Sequence, residues 1–277
     1  MFMNKEMKHI TIKSAQKYLA FILIIVFCCS CYQDVVDINL SELDQQIVIE
    51  GSITDQPGPY TVKISKTASI YEPESFPRVS GANVVIYDDN DNVETLTEIE
   101  AGIYQTSSLQ GVPGRTYTLQ VIAEGKEYTA TSKMPEPIVF QSVICQPSQN
   151  QTYYNLLYSF YDHEGIEDYC RIKLYRDGEY LDLDYKLYHD SHSDGELIEI
   201  ESLSNYFNND LAEIELFTIE RGIYEFFSTL AEFDDEGNSQ GDDIIGLAPS
   251  NPNSNISNNA LGYFSAHTYR KYRLIVR

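Results

Sequence analysis

"RTYTLQVIAEGKEYTATSKM", residues 115–134, is the stretch that decides the fold. Tyr117, Leu119 and Val121 alternate with Thr116, Thr118 and Gln120, so an extended chain here has one apolar face and one polar face. Successive side chains of a strand point to opposite faces, and a half-buried sheet shows that period of two. Glu124-Gly125-Lys126 breaks the alternation, and Tyr128 and Ala130 resume the apolar face. The stretch predicts a β-hairpin with one side in a core.

The same period recurs on either side. Towards the N-terminus, "QIVIEGSI" (46–53) and "YTVKIS" (60–65) flank the turn "TDQPGP". "ANVVIYD" (82–88) and "VETLTEI" (93–99) flank "DNDN", and "GIYQTSS" (102–108) follows. Many short strands with regular turn signals argue for a β-sandwich of immunoglobulin-like type. Past residue 134, Pro135 and Pro137 bracket a linker. Strands resume at "IVFQSVIC" (138–145), "YYNLLYSFYD" (153–162) and "DYCRIKLYRDG" (168–178), with "DHEGIEDYC" joining the last two. This pattern resembles the start of a fibronectin type III-like sandwich. "EYLDLDYKLYHD" and "ELIEIES" are expected to pair as a hairpin around "SHSDG" (191–195), before a strand at "EIELFTIE" (213–220). From residue 221, Ile223, Phe226, Phe227, Leu230 and Phe233 follow the stripe of an amphipathic helix, and core packing is their expected role. "ALGYFSAHTYRKYRLIVR" (260–277) is expected to supply the closing strands. The fold expected is mainly β: two tandem sandwiches, residues 45–135 and 136–277, with one short helix in the second.

The first 44 residues read differently. Lys5, Lys8, Lys13 and Lys17 precede the apolar run Leu19–Phe27, which is too short for a spanning helix and suits a signal peptide. Cys28, Cys29 and Cys31 follow, with Ser30 just before Cys31. The arrangement resembles a bacterial lipobox, which implies cleavage after residue 30, acylation of Cys31 and a tether over 31–44. Two or more acyl chains hold a protein on a bilayer stably. Cysteines in an apolar run with no second pair or His make a poor zinc pattern.

Without residues 1–30 the chain keeps 15 basic and 41 acidic residues, a net charge of −26. A general nucleic-acid binder needs a basic surface, so that class is excluded. Cys145 and Cys170 are the only other cysteines. In an exported protein they form either a disulfide or two buried, unpaired thiols. No HExxH, GxSxG or glycine-rich phosphate loop occurs. Asp88, Asn90 and Asn92 alternate as in a calcium loop, but the turn glycine and terminal Glu of such a loop are missing. A hairpin turn is the favoured reading there. "HDSHSDGE" sets His189 and His192 beside Asp190 and Asp194, and "FDDEGNSQGDD" gathers Asp234, Asp235, Glu236, Asp242 and Asp243. Both are expected to be solvated loops. No metal, no cofactor beyond the lipid and no enzymatic activity are expected.

The order "SGANVVIYDDNDN…GIYQTSSLQGVPGRTYTLQVIAEGKEYTA" is similar to a transthyretin-like or carboxypeptidase-regulatory-like sandwich. Together with "CYQDVVDINLSELDQQIVIEGSITDQPGPYTVKISKT" and "NISNNALGYFSA", it resembles the Bacteroidetes lipoproteins described as domain of unknown function 4249. The resemblance implies an outer-membrane lipoprotein that works with a TonB-dependent transporter. It also implies a surface-export signal at Asp34 and Asp37, with the cell surface favoured over the periplasmic face. Two alternatives stand beside it. One is a structural or adhesive surface subunit whose terminal strand "YRLIVR" pairs with another chain. The other is a hydrolase using carboxylates.

Overall fold

The computed structural model describes residues 45–68, 75–181, 186–190, 194–235 and 251–277, without the side chains of 231–235. Cys31, Asp34, Asp37 and His192 lie outside the described residues. Gln45–Arg277 forms one compact unit.

The first half of that unit contains β1 (Ile47–Thr54), β2 (Thr61–Lys66), β3 (Asn83–Asp88), β4 (Val93–Thr95), β5 (Thr97–Glu100), β6 (Ile103–Gln105), β7 (Thr116–Ala123) and β8 (Lys126–Lys133). The hairpin expected from residues 115–134 is β7–β8, in register from Thr116 opposite Lys133 to Ala123 opposite Lys126. Its sheet runs β4-β3-β7-β8, while β1, β2, β6 and β5 lie side by side in a second sheet. Val84, Ile86, Leu119, Val121 and Ala130 of the first sheet share one buried cluster with Ile49, Ile53, Val62, Ile64 and Tyr104 of the second. Each Val, Leu or Ile among them contributes about 1.5–3 kcal/mol on leaving water.

The second half contains β9 (Phe140–Pro147), β10 (Tyr154–Tyr161), β11 (Tyr169–Arg176), β12 (Glu179–Tyr180), β13 (Lys186–His189), β14 (Leu197–Glu201), β15 (Leu211–Ile219), α1 (Arg221–Asp235) and β16 (Leu261–Ile275). A three-stranded sheet, β14-β10-β9, faces the run β12-β11-β15-β16, with β13 also on β11. Leu156, Tyr158 and Phe160 meet Ile172, Leu174, Ile214 and Leu216 in a second core. The architecture is mainly β and layered as sandwiches are, as the alternation predicts.

One strand carries the large sheet across both halves. β16 pairs parallel with β1 from Leu261 to His267, then antiparallel with β15 from Thr268 to Ile275. Phe264 and Ala266 therefore belong to the first core, and Val276 belongs to the second. Ile256 and Ala260, just before this strand, also belong to the first core. The expectation of several closing strands gives way to one strand of 15 residues.

Another difference concerns β13 and β14. They do not pair with each other: β13 joins β11, and β14 joins β10. Ile198 and Ile200, opposite Phe160 and Tyr158 of β10, pack against the second core, whereas Tyr188 packs on Phe160 from the opposite sheet, at 5.4 Å between ring centroids. The helix forms where its stripe places it. Ile223, Phe226 and Phe227 are buried, with Tyr263, Phe217 and Tyr169 packed against them, and the Arg171 guanidinium lies 3.9 Å from the Phe227 ring centroid. Leu230, expected on that face, is 38% exposed.

Candidate functional site

Three segments converge at one cleft of about 450 Å³. They are the linker after β8 (133–136), the loop between β10 and β11 (163–168) and the junction of β15 with α1 (219–222). Each has a local reason to hold its shape. In the β10–β11 loop, the buried carboxylate of Asp168 accepts the backbone N–H of His163 at 2.6 Å and lies 2.9 Å from His163 Nδ1. Gly165 turns the chain between them with φ of 76°. The carboxylate thus fixes the imidazole, directs its Nδ1 inward and leaves Nε2 as the ring's remaining polar atom.

At the helix junction, the Glu220 carbonyl accepts the N–H groups of Ile223 and Tyr224, which starts the first turn. The Glu220 side chain reaches the linker and accepts the Lys133 N–H at 3.0 Å. Burial pushes its carboxyl above the usual range, against the pull of the hydrogen bonds from Lys133 and Ser132. The linker is anchored from below by Met134, which is fully buried and exchanges backbone hydrogen bonds with Gly114 and Arg115. Tyr169 lines the cleft and donates its hydroxyl to Glu167 at 2.8 Å. Behind it stand Tyr224 and His189, at 5.2 and 6.2 Å between ring centroids. The cleft offers an oriented imidazole, carboxyl groups at Glu136, Glu167 and Glu220, and an apolar wall of Ile166 and Ile219. Such a mixture suits recognition by hydrogen bonds over an apolar floor.

Of the residues singled out from the sequence, Asp88, Asn90, Asn92, Cys145 and Cys170 do not line the cleft, whereas His189 and Asp194 touch its wall and its loop. Asp88 does meet Asn90 and Asn92, but as the cap of a turn. Its carboxylate accepts both backbone N–H groups at 3.0 and 2.9 Å, the Asn92 amide at 2.8 Å and Arg115 at 2.8 Å. Cys145 and Cys170 are free thiols, Cys170 fully buried and Cys145 half-buried. Burial raises both thiols. His189 stacks on Tyr169, and Asp194 accepts the Gly165 N–H at 2.5 Å. Among the described residues, no group of three or more His, Cys, Asp or Glu side chains is placed to hold a metal ion. The same residues include no helix long and apolar enough to cross a membrane. The pairing of His163 with Asp168 is absent from the sequence reading; its one local signal is "DHEGIED", a glycine turn flanked by the two partners.

The family model described as Domain of unknown function (DUF4249) matches residues 33–273. The chain belongs to this family. The match takes in both cores, the cleft and nearly all of β16. Comparison of this DUF4249 chain with curated proteins found no match. Among solved structures, it is similar to the Yersinia pseudotuberculosis adhesin InvE at 12% identity and a TM-score of 0.20, over 62% of this chain and 55% of the adhesin's.

Proposed function

We propose that this DUF4249 protein is a non-catalytic accessory lipoprotein, anchored in the outer membrane through Cys31, which binds a partner at the cleft between residues 133–136, 163–169 and 219–222. The observation that carries the binding reading is the oriented His163–Asp168 pair in an open cleft beside Glu220. A carboxylate costs stability on burial unless it has partners, and here the buried Asp168 and the half-buried Glu220 both hold parts of one recess. The N-terminal pattern ending in Cys31 supports the anchor, and the family resemblance supports a TonB-dependent transporter as the partner. Asp34 and Asp37, read through the family resemblance as an export signal, support the cell-surface face.

A photo-crosslinking side chain at Ile166, which is 55% exposed on the cleft, tests the partner in intact cells. Capture of an outer-membrane barrel from position 166, but not from the distant exposed Val93, is the expected result. Equal capture from both positions, or turnover of a substrate that is lost with Glu220→Gln, overturns the reading in favour of non-specific contact or of a carboxylate hydrolase.

The reading as a structural or adhesive subunit rests on free strand edges. Its first candidate, "YRLIVR" (272–277), is occupied on one side, because β16 pairs with β15 as far as Ile275.

A further inference from the structure

A second recess, of about 520 Å³, lies at the opposite end of β10 from the cleft, where the β9–β10 hairpin turns beside the last residue of β14. Leu156 is buried in the second core, so its neighbour Asn155 points out of the other face of the sheet. On that face Gln146 of β9 stands opposite Asn155, and Glu201 of β14 stands opposite Leu157. The Asn155 amide donates to one Glu201 oxygen, which leaves the Asn155 oxygen and the second Glu201 oxygen as acceptors. The turn supplies the facing wall and is itself hydrogen-bonded. The Ser148 N–H donates to the Tyr153 carbonyl at 2.8 Å, and the Ser148 carbonyl accepts the Gln151 N–H at 2.9 Å. The Asn150 oxygen accepts the Ser148 hydroxyl, the Thr152 N–H and the Thr152 hydroxyl at 2.9, 3.2 and 2.7 Å, so its N–H groups are the free end of that amide. Among the described residues, the amides of Gln146 and Gln149 and the hydroxyl of the half-buried Tyr153 take no hydrogen bond.

We propose that this recess binds a neutral oligosaccharide. Its lining decides the class of ligand. It holds no cation, and the chain carries a net charge of −23, so an anionic ligand finds no counter-charge. Its one carboxylate, Glu201, is already shared with Asn155, which makes a poor cage for a metal ion. Pro147 and Tyr153 give too little apolar wall for a lipid. A peptide strand is held mainly through main-chain hydrogen bonds to a sheet edge, whereas the groups on offer here are side chains of a sheet face and a turn. What remains is a set of neutral amides beside an acceptor pair. Each amide sets donors next to an acceptor, and each hydroxyl of a sugar both donates and accepts, so neighbouring hydroxyls are matched by neighbouring amides. Tyr153 adds a ring for the C–H face of a pyranose and a hydroxyl for its edge. Asn150, Asn155 and Glu201 are held by the protein's own hydrogen bonds before a ligand arrives, which lowers the ordering cost of binding.

The test is isothermal titration calorimetry of the full chain, in a detergent without a sugar head group, against maltohexaose, cellohexaose, xylohexaose, mannohexaose and laminarihexaose. Saturable binding of at least one of them is expected, weakened by at least about tenfold in Gln149→Ala or Tyr153→Ala. Gln149 is exposed, so an unchanged melting temperature is expected for its variant and separates lost binding from lost folding. Hexagalacturonic acid, an acidic counterpart, is expected to bind more weakly than the preferred neutral sugar. Binding of none of the five neutral sugars overturns the proposal, as does binding that both variants keep at wild-type strength, or a preference for hexagalacturonic acid. Binding of unfolded casein that Gln149→Ala abolishes, with no sugar bound, overturns it in favour of a peptide site.

Discussion

His267 sits where β16 passes from β1 to β15, opposite Thr54, with Thr268 opposite Thr218. Its Nδ1 lies 3.0 Å from the Ser265 hydroxyl, and its ring meets the edge of Phe217 at 5.5 Å. Burial pushes its pKa down to about 4, and the nearby Arg171 and Lys173 cations add to that, while Asp55 acts the other way. An unfolded histidine titrates near 6.5. Between those values the unfolded chain binds the proton and the folded chain does not, so stability rises with pH. The contribution is fully present above about pH 6.5 and is lost as pH falls towards 4. A gap of about 2.5 pH units, at about 1.4 kcal/mol each, makes roughly 3 kcal/mol. That is a large share of a typical total stability of about 5–15 kcal/mol. Urea unfolding at pH 7 and pH 4.5, followed by tyrosine fluorescence because the chain has no tryptophan, reads it directly. His267→Gln keeps a polar partner for Ser265 and cannot take up the proton. Its stability is expected to fall with acid by a smaller amount than the wild type's, the difference reaching about 2.5 kcal/mol at pH 4.5. Asp88, Glu94 and Glu213, whose carboxyls are held below their usual range, lose their contributions in both proteins at lower pH and cancel in the comparison. Identical pH profiles for the two proteins would refute the reasoning.

Gly262 has φ of 91°, and a Cβ there would overlap the Ile49 carbonyl at the β1–β16 pairing, so Gly262→Ala is expected to destabilise by at least about 2 kcal/mol in thermal unfolding. Asp88→Ala strips two backbone N–H groups, an amide and Arg115 of their acceptor; a loss of about 1–3 kcal/mol is expected, and added calcium should not change the melting temperature of either protein. Because Cys145 and Cys170 are unpaired, a reductant should leave the melting temperature unchanged, and thiol reagents should reach Cys170 only after unfolding.

Periodicity made faces legible but not partners. Leu119 and Val121 announce a buried face, and the turn at Glu124-Gly125 announces β8 as the partner because the contact is local. The helix was equally visible, because Ile223, Phe226 and Phe227 share a stripe within two turns. The pairing of β1 with β16 was not legible: Val48 meets Leu261 across most of the chain, and nothing in either strand's alternation names the other. The same limit explains β13 and β14, which are neighbours in sequence and belong to opposite sheets. The cleft fails to show for a third reason. Glu220 closes an alternating run and so reads as a solvent-facing end, yet the backbone of Lys133, far away in sequence, meets it. His163 and Asp168 lay within one short loop and could have been paired from its turn, but only folding shows that Asp168 is buried.

The most direct test of the account is mass spectrometry of the mature protein recovered from membranes. Expected are an N-terminal residue at position 31 whose mass includes a thioether-linked diacylglycerol and a further acyl chain, and a Cys31→Ala chain that leaves the membrane fraction. An unmodified N-terminus at any other position, or a Cys31→Ala chain retained like the wild type, would contradict it.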